Sequence, residues 1–202
     1  MPPVLIATSS AGKLRDFAGA AAALGIEVAA LPGIDSLPAV EEDGATFEAN
    51  GRKKAEHYSR LAAGELVLAD DSGLEVEALN GAPGVRSARY ATDSGEAQSA
   101  SRDAANNARL LHELKNIPDG GRAARFVCVM AAARDGHLLE LFRGEAQGTI
   151  LREPRGGGGF GYDPLFFSPG LGKTFAELSA EEKAAVSHRG RAFRKFLEWY
   201  AR

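Results

Sequence analysis

The 202-residue sequence predicts an α/β fold: a mixed twisted sheet with flanking helices. Short apolar runs, typical of buried strands, alternate with longer segments of helical periodicity. Two apolar runs, 125–133 and 138–142, flank a turn that contains Asp135-Gly136, which indicates an antiparallel hairpin. Helices between strands together with a hairpin favour a mixed sheet, and the length fits one domain over 1–202.

The N-terminal half is expected to alternate strands with helices. Apolar runs predict strands at 4–8, 27–31, 66–69 and 74–78. Apolar residues at helical spacing, followed by glycine, predict helices at 13–24 and 46–63. Proline, glycine and acidic residues predict a loop over 32–45. The strand at 66–69 is expected to run directly into Asp70-Asp71-Ser72-Gly73.

The C-terminal half contains the hairpin and three more helices. Helices are predicted at 101–115, at 179–185 behind a capping box formed by Ser179 and Glu182, and after the segment 187–190. Extended segments are expected at 145–151 and 164–167, on either side of a glycine-rich loop at 156–161. The final helix places Phe193, Phe196, Leu197 and Tyr200 on one face.

The composition excludes several classes of protein. The 24 Lys and Arg residues nearly balance the 27 Asp and Glu residues, so the chain has no excess of positive charge for binding a nucleic acid polymer. No apolar run approaches the roughly 20 residues of a membrane span, and the first ten residues do not resemble a signal peptide. The lone Cys128 excludes an internal disulfide framework. We therefore expect a cytoplasmic protein without membrane attachment.

The segment from Thr8 to Lys13 is a candidate phosphate-binding turn. Small residues between a strand and a helix let backbone N–H groups approach a phosphate, and the helix N-terminus and Lys13 both favour negative charge. The segment is not a Walker A loop, because Ala7 replaces the first glycine and Leu14 follows the lysine. An ordinary strand-to-helix turn with a solvated lysine is the alternative interpretation.

Two acidic segments are candidate magnesium ligands. Asp70 and Asp71 directly follow four apolar residues, and alternation along a strand would point their side chains in opposite directions. Mg²⁺ commonly uses one or two carboxylates together with phosphate oxygens of the substrate. The cluster at 41–43 would contribute Glu42 only if the fold brings it beside Asp71. Solvated acidic turns remain the alternative for both segments.

Two further segments could contact a nucleotide. The glycine-rich stretch 156–161 formally satisfies G-x-G-x-x-G, but Tyr162-Asp163-Pro164 follows where a dinucleotide site needs a helix. Phe160 could instead stack on a base, with Asp163 nearby to read or orient it. Lys183 and the segment 187–190 could bind a phosphate or a base oxygen. A core aromatic and solvated cations are the structural alternatives.

Taken in order, these motifs resemble the Ham1-type inosine triphosphate pyrophosphatases. The resemblance runs from the first strand to the last helix, and its strongest stretch is 158–166, Gly-Gly-Phe-Gly-Tyr-Asp-Pro-Leu-Phe. It implies a homodimer with two lobes around a central nucleotide cleft. The implied reaction is Mg²⁺-dependent attack of water on the α-phosphorus of ITP, dITP or XTP, which releases the nucleoside monophosphate and pyrophosphate and cleanses the nucleotide pool.

The resemblance also implies a role for each matching residue. Asp71 would bind the metal and accept the proton, Glu42 would be the second metal ligand, and Asp70 and Lys13 would support catalysis. The residues implied to bind substrate are Thr8, Ser9, Ser10, Ala11, Gly12, Lys13, Ser72, Phe160, Gly161, Tyr162, Asp163, Lys183, His188 and Arg189.

The sequence departs from the family pattern at two places. Ser9-Ser10 replaces the usual Gly-Asn, which puts one phosphate or sugar contact in doubt, and Ala49-Asn50 replaces the usual Glu-Asn. Two alternative functions remain open at this point. One is a Maf-type pyrophosphatase for modified pyrimidine or guanine nucleotides, and the other is a nucleotide-binding module without catalysis.

Overall fold

The computed structural model describes residues 3–22, 25–94 and 101–202. The strands in these ranges are β1 (Val4–Ile6), β2 (Val28–Ala30), β3 (Val67–Val76), β4 (Ala123–Arg134), β5 (His137–Ile150), β6 (Phe166–Ser168) and β7 (Lys173–Thr174). The α-helices are α1 (Ala11–Ala22), α2 (Phe47–Leu61), α3 (Arg102–Glu113), α4 (Ala180–Val186) and α5 (His188–Tyr200). None of these helices is long and apolar enough to cross a membrane.

The seven strands form one sheet in the order β2-β1-β3-β4-β5-β6-β7. Strand β1 is parallel to both of its neighbours, with Leu5 opposite Val67 of β3. Strand β6 is antiparallel to β5 and to β7. Asp135 and Gly136 join β4 to β5 with φ angles of 51° and 82°, the left-handed pair that a two-residue hairpin turn requires. The predicted mixed α/β sheet is confirmed.

The chain forms two compact units. The first contains the described residues through Ser72, together with Val127–Glu145 and Ala180–Arg202. The second contains Ala146–Ser179 and the described part of Gly73–Phe126. Strands β3, β4 and β5 contribute residues to both units.

The first unit buries both faces of its part of the sheet. Along β4, Cys128 and Met130 belong to a cluster with Phe17 of α1 and Phe193 of α5. The intervening Ala131 and Ala133 belong to a second cluster that includes Ala55 and Tyr58 of α2. Helices therefore cover both faces, which explains why β4 is a continuous apolar run rather than an alternating one.

The second unit has an aromatic core. The rings of Phe126, Phe166 and Phe175 lie within 4.5–5.7 Å of one another between centroids. Leu110 of α3 is also fully buried. Capping agrees with the predicted start of α3, because the hydroxyl of Ser101 accepts a hydrogen bond from the amide of Ala104.

The structure corrects the predicted end of the third strand. Strand β3 continues without a break from Val67 to Val76, so the expected end of the strand at Ala69, the separate strand at 74–78 and the alternative of an acidic turn at 70–73 are wrong. The two aspartates are buried and bound to specific partners, described below, and those contacts outweigh the low strand propensity of aspartate. The acids therefore lie inside a central strand rather than beyond its carboxyl end.

Smaller differences concern loops and helix ends. Helix α5 begins at His188, before the predicted start, because the Ser187 hydroxyl caps it by accepting from the amide of Gly190. The predicted loop 32–45 contains a 3-10 turn at Ile34–Ser36, and β7 was not predicted. The predicted end of the first helix, at residue 24, lies outside the described residues.

Candidate active site

The two aspartates of β3 face opposite directions, as alternation along a strand requires. Asp70 shares its side with Ser72, whose hydroxyl donates to Asp70 Oδ2 at 3.2 Å. Asp71 points the other way, towards α2, where Asn50 contacts it. Only 1% of Asp70 and 4% of Asp71 is exposed. The two adjacent carboxylates thus have separate surroundings, and each needs its own charged or hydrogen-bonding partners to offset the cost of burying it.

Asp70 lies among cations. Lys13 Nζ is 2.9 Å from Asp70 Oδ2, and Arg189 Nε is 3.8 Å from the same oxygen. Burial by itself would raise the pKa of Asp70, but the charges of Lys13, Arg189 and Lys54 outweigh it and lower the pKa to about 2. Asp70 is therefore an ionised anchor for cationic side chains at neutral pH.

Asp16 on α1 extends this cluster to the last two helices. Its Oδ1 is 3.2 Å from Lys183 Nζ, and its Oδ2 accepts from Arg189 Nη1 at 3.1 Å. The other terminal nitrogen of Arg189 donates to the Ser72 hydroxyl at 2.8 Å. The structure thus brings together the predicted residues Lys13, Ser72, Lys183 and Arg189. Asp16 was not predicted, although its position three residues after Lys13 places both on one helix face.

His188 is fully buried in the first turn of α5. Burial lowers the pKa of His188 well below its ordinary value, and the charges of Arg189, Lys183 and Lys13 lower it further. The imidazole is therefore neutral at pH 7, with one ring nitrogen as a donor and the other as an acceptor.

Asp71 is held by two hydrogen bonds. Asn50 Nδ2 donates to its Oδ2 and the amide of Ser72 donates to its Oδ1, each at 2.9 Å. Burial raises the pKa of Asp71 in spite of the opposing influence of Lys54 and Asn50, and the charge of Glu42 adds to the increase. Asp71 is thus a better proton acceptor than an ordinary aspartate, in contrast to Asp70.

Helix α2 connects Asp71 to the acidic loop. The side-chain oxygen of Asn50 accepts from the amide of Gly44 at 2.8 Å, and Lys54 Nζ is 3.1 Å from Glu42 Oε2. Burial would lower the pKa of Lys54, but the charges of Asp70, Asp71 and Glu42 raise it. Glu42 and Asp71 are therefore brought to one buried ammonium group, whereas Glu41 and Asp43 are exposed.

Asn50 and Lys54 were not predicted as site residues. They are four residues apart, so they share a face of α2. The intervening Gly51 allows this face to approach the sheet, because a Cβ there would lie 3.2 Å from the Val129 carbonyl oxygen and 3.7 Å from the Asp71 amide. The helical spacing of these two residues with Phe47 and Tyr58 places them on the apolar face of 46–63, a signal in the sequence for their position but not for their partners.

The donor set fits a divalent cation that shares its ligands with a substrate. The described ranges contain no group of three Asp, Glu, His or Cys side chains that could hold a metal by themselves. Mg²⁺ does not need such a cage, since one or two carboxylates with phosphate oxygens and water suffice. The buried Lys54 shows that the carboxylates around it already attract a cation.

The turn before α1 has the features of an anion site. The amide of Ser10 donates to Thr8 Oγ1 at 3.2 Å, and the amide of Lys13 donates to Ser10 Oγ at 3.3 Å. Helix α1 begins at Ala11, so its first N–H groups and the positive end of its dipole lie at this turn. Ser9 and Ala11 are exposed, as a turn that contacts a ligand requires.

The glycine-rich loop belongs to the second unit. The Phe160 amide donates to Asp163 Oδ2 at 2.9 Å, and Asp163 is 3% exposed, so this carboxylate holds the loop from inside. The Tyr162 hydroxyl donates to the Ser87 carbonyl at 2.9 Å, and its ring is buried. Phe160 is half-buried, and Gly161 has a φ of 60°. In this arrangement Tyr162 is part of the packing of the second unit and Asp163 orients the backbone of the loop. The Phe160 ring remains partly accessible.

The fold and the clustered charges define a class: an α/β protein with a strand-to-helix turn before α1, a buried acid pair and several cations around it. Residues 4–199 match the model of the Ham1 family. The dITP/XTP pyrophosphatase of Acidobacterium capsulatum is 52% identical over 95% of both chains, and that of Geobacter sulfurreducens is 50% identical over 95% of this chain and 93% of its own.

Solved structures agree with the sequence comparison. The Staphylococcus aureus Ham1 protein has a TM-score of 0.81 at 40% identity, covering 99% of this chain and 98% of its own. A HAM1 protein from Coxiella burnetii has a TM-score of 0.82 at 38% identity, covering 100% of this chain and 99% of its own. The chain belongs to the Ham1 family.

Proposed function

We propose that the protein hydrolyses non-standard purine nucleoside triphosphates, namely ITP, dITP and XTP, to the monophosphate and pyrophosphate. The observation that carries the proposal is the pairing of Asp71, with its raised pKa, and Glu42 around Lys54, next to a separate cluster of cations. A proton acceptor and metal ligands beside phosphate-binding cations are what attack of water on a phosphoryl group requires. The dITP/XTP pyrophosphatases among its relatives support the same reaction.

In this proposal the triphosphate is bound by the first unit. The amide groups at the start of α1 and the side chains of Lys13 and Lys183 offer positive charge to the phosphates. Lys13 is paired with Asp70 and Lys183 with Asp16, so both ammonium groups are already positioned. Preorganised charges stabilise the departing pyrophosphate without a reorganisation cost during the reaction.

Asp71 and Glu42 are the proposed ligands of Mg²⁺. When bound, this ion would lower the pKa of a coordinated water and neutralise developing phosphate charge. Asp71 accepts the proton of the attacking water at a carboxylate oxygen, which the raised pKa favours. Asn50 and the Ser72 amide hold that carboxylate in place.

Base recognition is assigned to Phe160, His188 and Arg189. The Phe160 ring stacks on the purine, a contact worth about 1–3 kcal/mol. Donors from His188 or Arg189 to the 6-oxo group reject a 6-amino base, because a donor would then face a donor. Asp163 contributes by holding the Phe160 amide.

Hydrolysis of deaminated purines would keep them out of the pool that polymerases use. We propose a cytoplasmic homodimer as the working form.

The test is a substrate panel. Release of pyrophosphate is measured for ITP, dITP, XTP, ATP, GTP and a modified pyrimidine nucleoside triphosphate, with and without Mg²⁺. The proposal expects Mg²⁺-dependent release from the first three, at least about 100-fold faster than from ATP or GTP at equal concentration. Hydrolysis of modified pyrimidine nucleotides instead would favour a Maf-type activity. Tight binding of ITP without hydrolysis would indicate a binding module and contradict the proposal.

A further inference from the structure

We propose that Asp103 and Asn107 of α3 are positioning residues that set the placement of Phe160. The inference rests on the proposed function, and it deepens it by identifying what holds the base-binding aromatic group. Asp103 Oδ2 accepts from the amide of Gly161 at 2.7 Å, and Asn107 Nδ2 donates to the carbonyl of the same residue at 3.0 Å. We call these two contacts the α3 clamp.

The spacing of the clamp follows from helix geometry. Asp103 and Asn107 are four residues apart on α3, so their side chains lie on one face, about one turn from each other. Their two contacts reach the peptide planes on either side of the Gly161 Cα atom. Together they fix both backbone dihedral angles of Gly161. Its φ is 60°, a value that residues other than glycine rarely adopt.

Helix α3 is itself a firm support for the clamp. Asn106 accepts from the amide of Ala91 at 2.8 Å and donates to the carbonyl of Ser87 at 3.2 Å. The same Ser87 carbonyl accepts from the Tyr162 hydroxyl at 2.9 Å. Leu110, on the same helix, is fully buried. The helix and the residue after Gly161 are thus tied to one common point.

Phe160 is held from both sides along the chain. On its C-terminal side, the clamp fixes Gly161; at its own amide, Asp163 Oδ2 accepts a hydrogen bond at 2.9 Å. The residues at 152–159 before it are all exposed. On the N-terminal side the backbone is held two residues away, where the Gly158 amide donates to the Ala176 carbonyl at 3.0 Å, whereas the clamp and Asp163 hold Phe160 and Gly161 themselves. Loss of the clamp would therefore let the ring leave its stacking position without unfolding the unit.

The first measurement examines the clamp in the ligand-free protein. Hydrogen exchange is followed at the amides of 158–163 in the wild-type protein, Asn107→Ala and the control Arg102→Ala, an exposed side chain on the same helix. Asn107 binds the carbonyl of Gly161, whereas the amide of Gly161 donates to Asp103. Faster exchange at that amide in Asn107→Ala would therefore show that the two contacts act together. Unchanged exchange at that amide would overturn the clamp, whatever the enzymatic activity.

The second measurement examines the consequence for the base. In Asp103→Ala and Asn107→Ala we expect the KM for ITP to rise about tenfold, comparable to Phe160→Ala, with kcat within about twofold of wild type. Asp103→Asn keeps an acceptor oxygen and is expected to restore most of the affinity, whereas Asn107→Asp would place a carboxylate against the Gly161 carbonyl and not restore it. If the substitutions only reduced the fraction of folded enzyme, the apparent kcat would fall and KM would stay unchanged.

The two measurements separate the possible failures. Faster exchange with an unchanged KM for ITP would overturn the positioning role. A wild-type protein that does not hydrolyse ITP would contradict the proposed function, while the exchange data would still decide whether the clamp exists. Arg102→Ala is expected to match wild type in both measurements.

Discussion

Asp70 and Asp71 are adjacent in the sequence, yet their carboxylates have opposite electrostatic environments. The cations Lys13, Arg189 and Lys54 lower the pKa of Asp70 and keep it ionised, whereas burial is the main influence on Asp71 and raises its pKa. The difference arises because a strand sends consecutive side chains to opposite faces, where different helices supply the partners. One residue consequently anchors the cations, and the other is available for proton transfer.

Replacement of the anchor should be costly for folding. Asp70→Asn leaves Lys13 and Arg189 without their shared carboxylate, so we expect the free energy of unfolding at pH 7 to fall by about 3–5 kcal/mol. Urea denaturation measures this loss. The pKa of Asp70 is lower in the folded state, so its contribution is present above about pH 4 and is lost as the pH falls towards 2.

The matched control for Asp70 is an exposed ion pair. Asp93, whose carboxylate is 2.8 Å from Arg86, is partly solvated, and Asp93→Asn should change the free energy of unfolding by less than about 1 kcal/mol. Equal denaturation midpoints for Asp70→Asn and wild type would contradict the anchoring role.

His188 provides a pH test with a defined sign. Its folded-state pKa is lowered, so the unfolded chain binds a proton that the folded protein excludes. The contribution of His188 to the free energy of unfolding is fully present above about pH 6.5. It declines below that pH by at most about 1.4 kcal/mol per pH unit. In NMR spectra, the ring resonances of His188 should stay constant from pH 8 to 6. Titration of His188 near pH 6.5 would refute this assignment.

Strand β5 and helix α5 are packed with almost no space between them. A Cβ at Gly144 would lie 2.2 Å from the His188 carbonyl oxygen and 2.4 Å from the Ala192 amide nitrogen, both in the backbone of α5. Since α5 begins with His188 and Arg189, the position of these side chains depends on this close approach.

Gly144→Ala is therefore expected to displace the start of α5. The predicted loss is at least about 2 kcal/mol in the free energy of unfolding, together with a weaker affinity for ITP. Gly120→Ala is the control, because a Cβ there meets nothing within 4 Å and its φ is ordinary. Thermal unfolding that is the same for both variants would contradict this view of the packing.

The secondary structure was largely predictable because its signals are local. Turn residues such as Asp135-Gly136, and the apolar face of α5, identify elements without knowledge of the rest of the molecule. The continuous course of β3 could not be predicted, because Asp70 and Asp71 suit a strand only when distant partners compensate their charge.

The candidate site was predictable in its motifs but not in its connections. The resemblance identified Asp71, Glu42, Lys13 and the loop at 158–166, and the roles of these residues stay predictions. Asn50, Lys54 and Asp16 were missed because each acts through a partner distant in sequence. Such partners become visible only when the helices are placed on the sheet.

We propose that Asp71 accepts a proton and binds the metal during hydrolysis of ITP. The most direct test is the rate of pyrophosphate release from ITP with Mg²⁺ for wild type, Asp71→Asn and the control Asp43→Asn, an exposed acid paired with Lys53. We expect Asp71→Asn to lower kcat by at least about 100-fold and Asp43→Asn to change it by less than about twofold. Turnover of Asp71→Asn close to that of wild type would contradict the account.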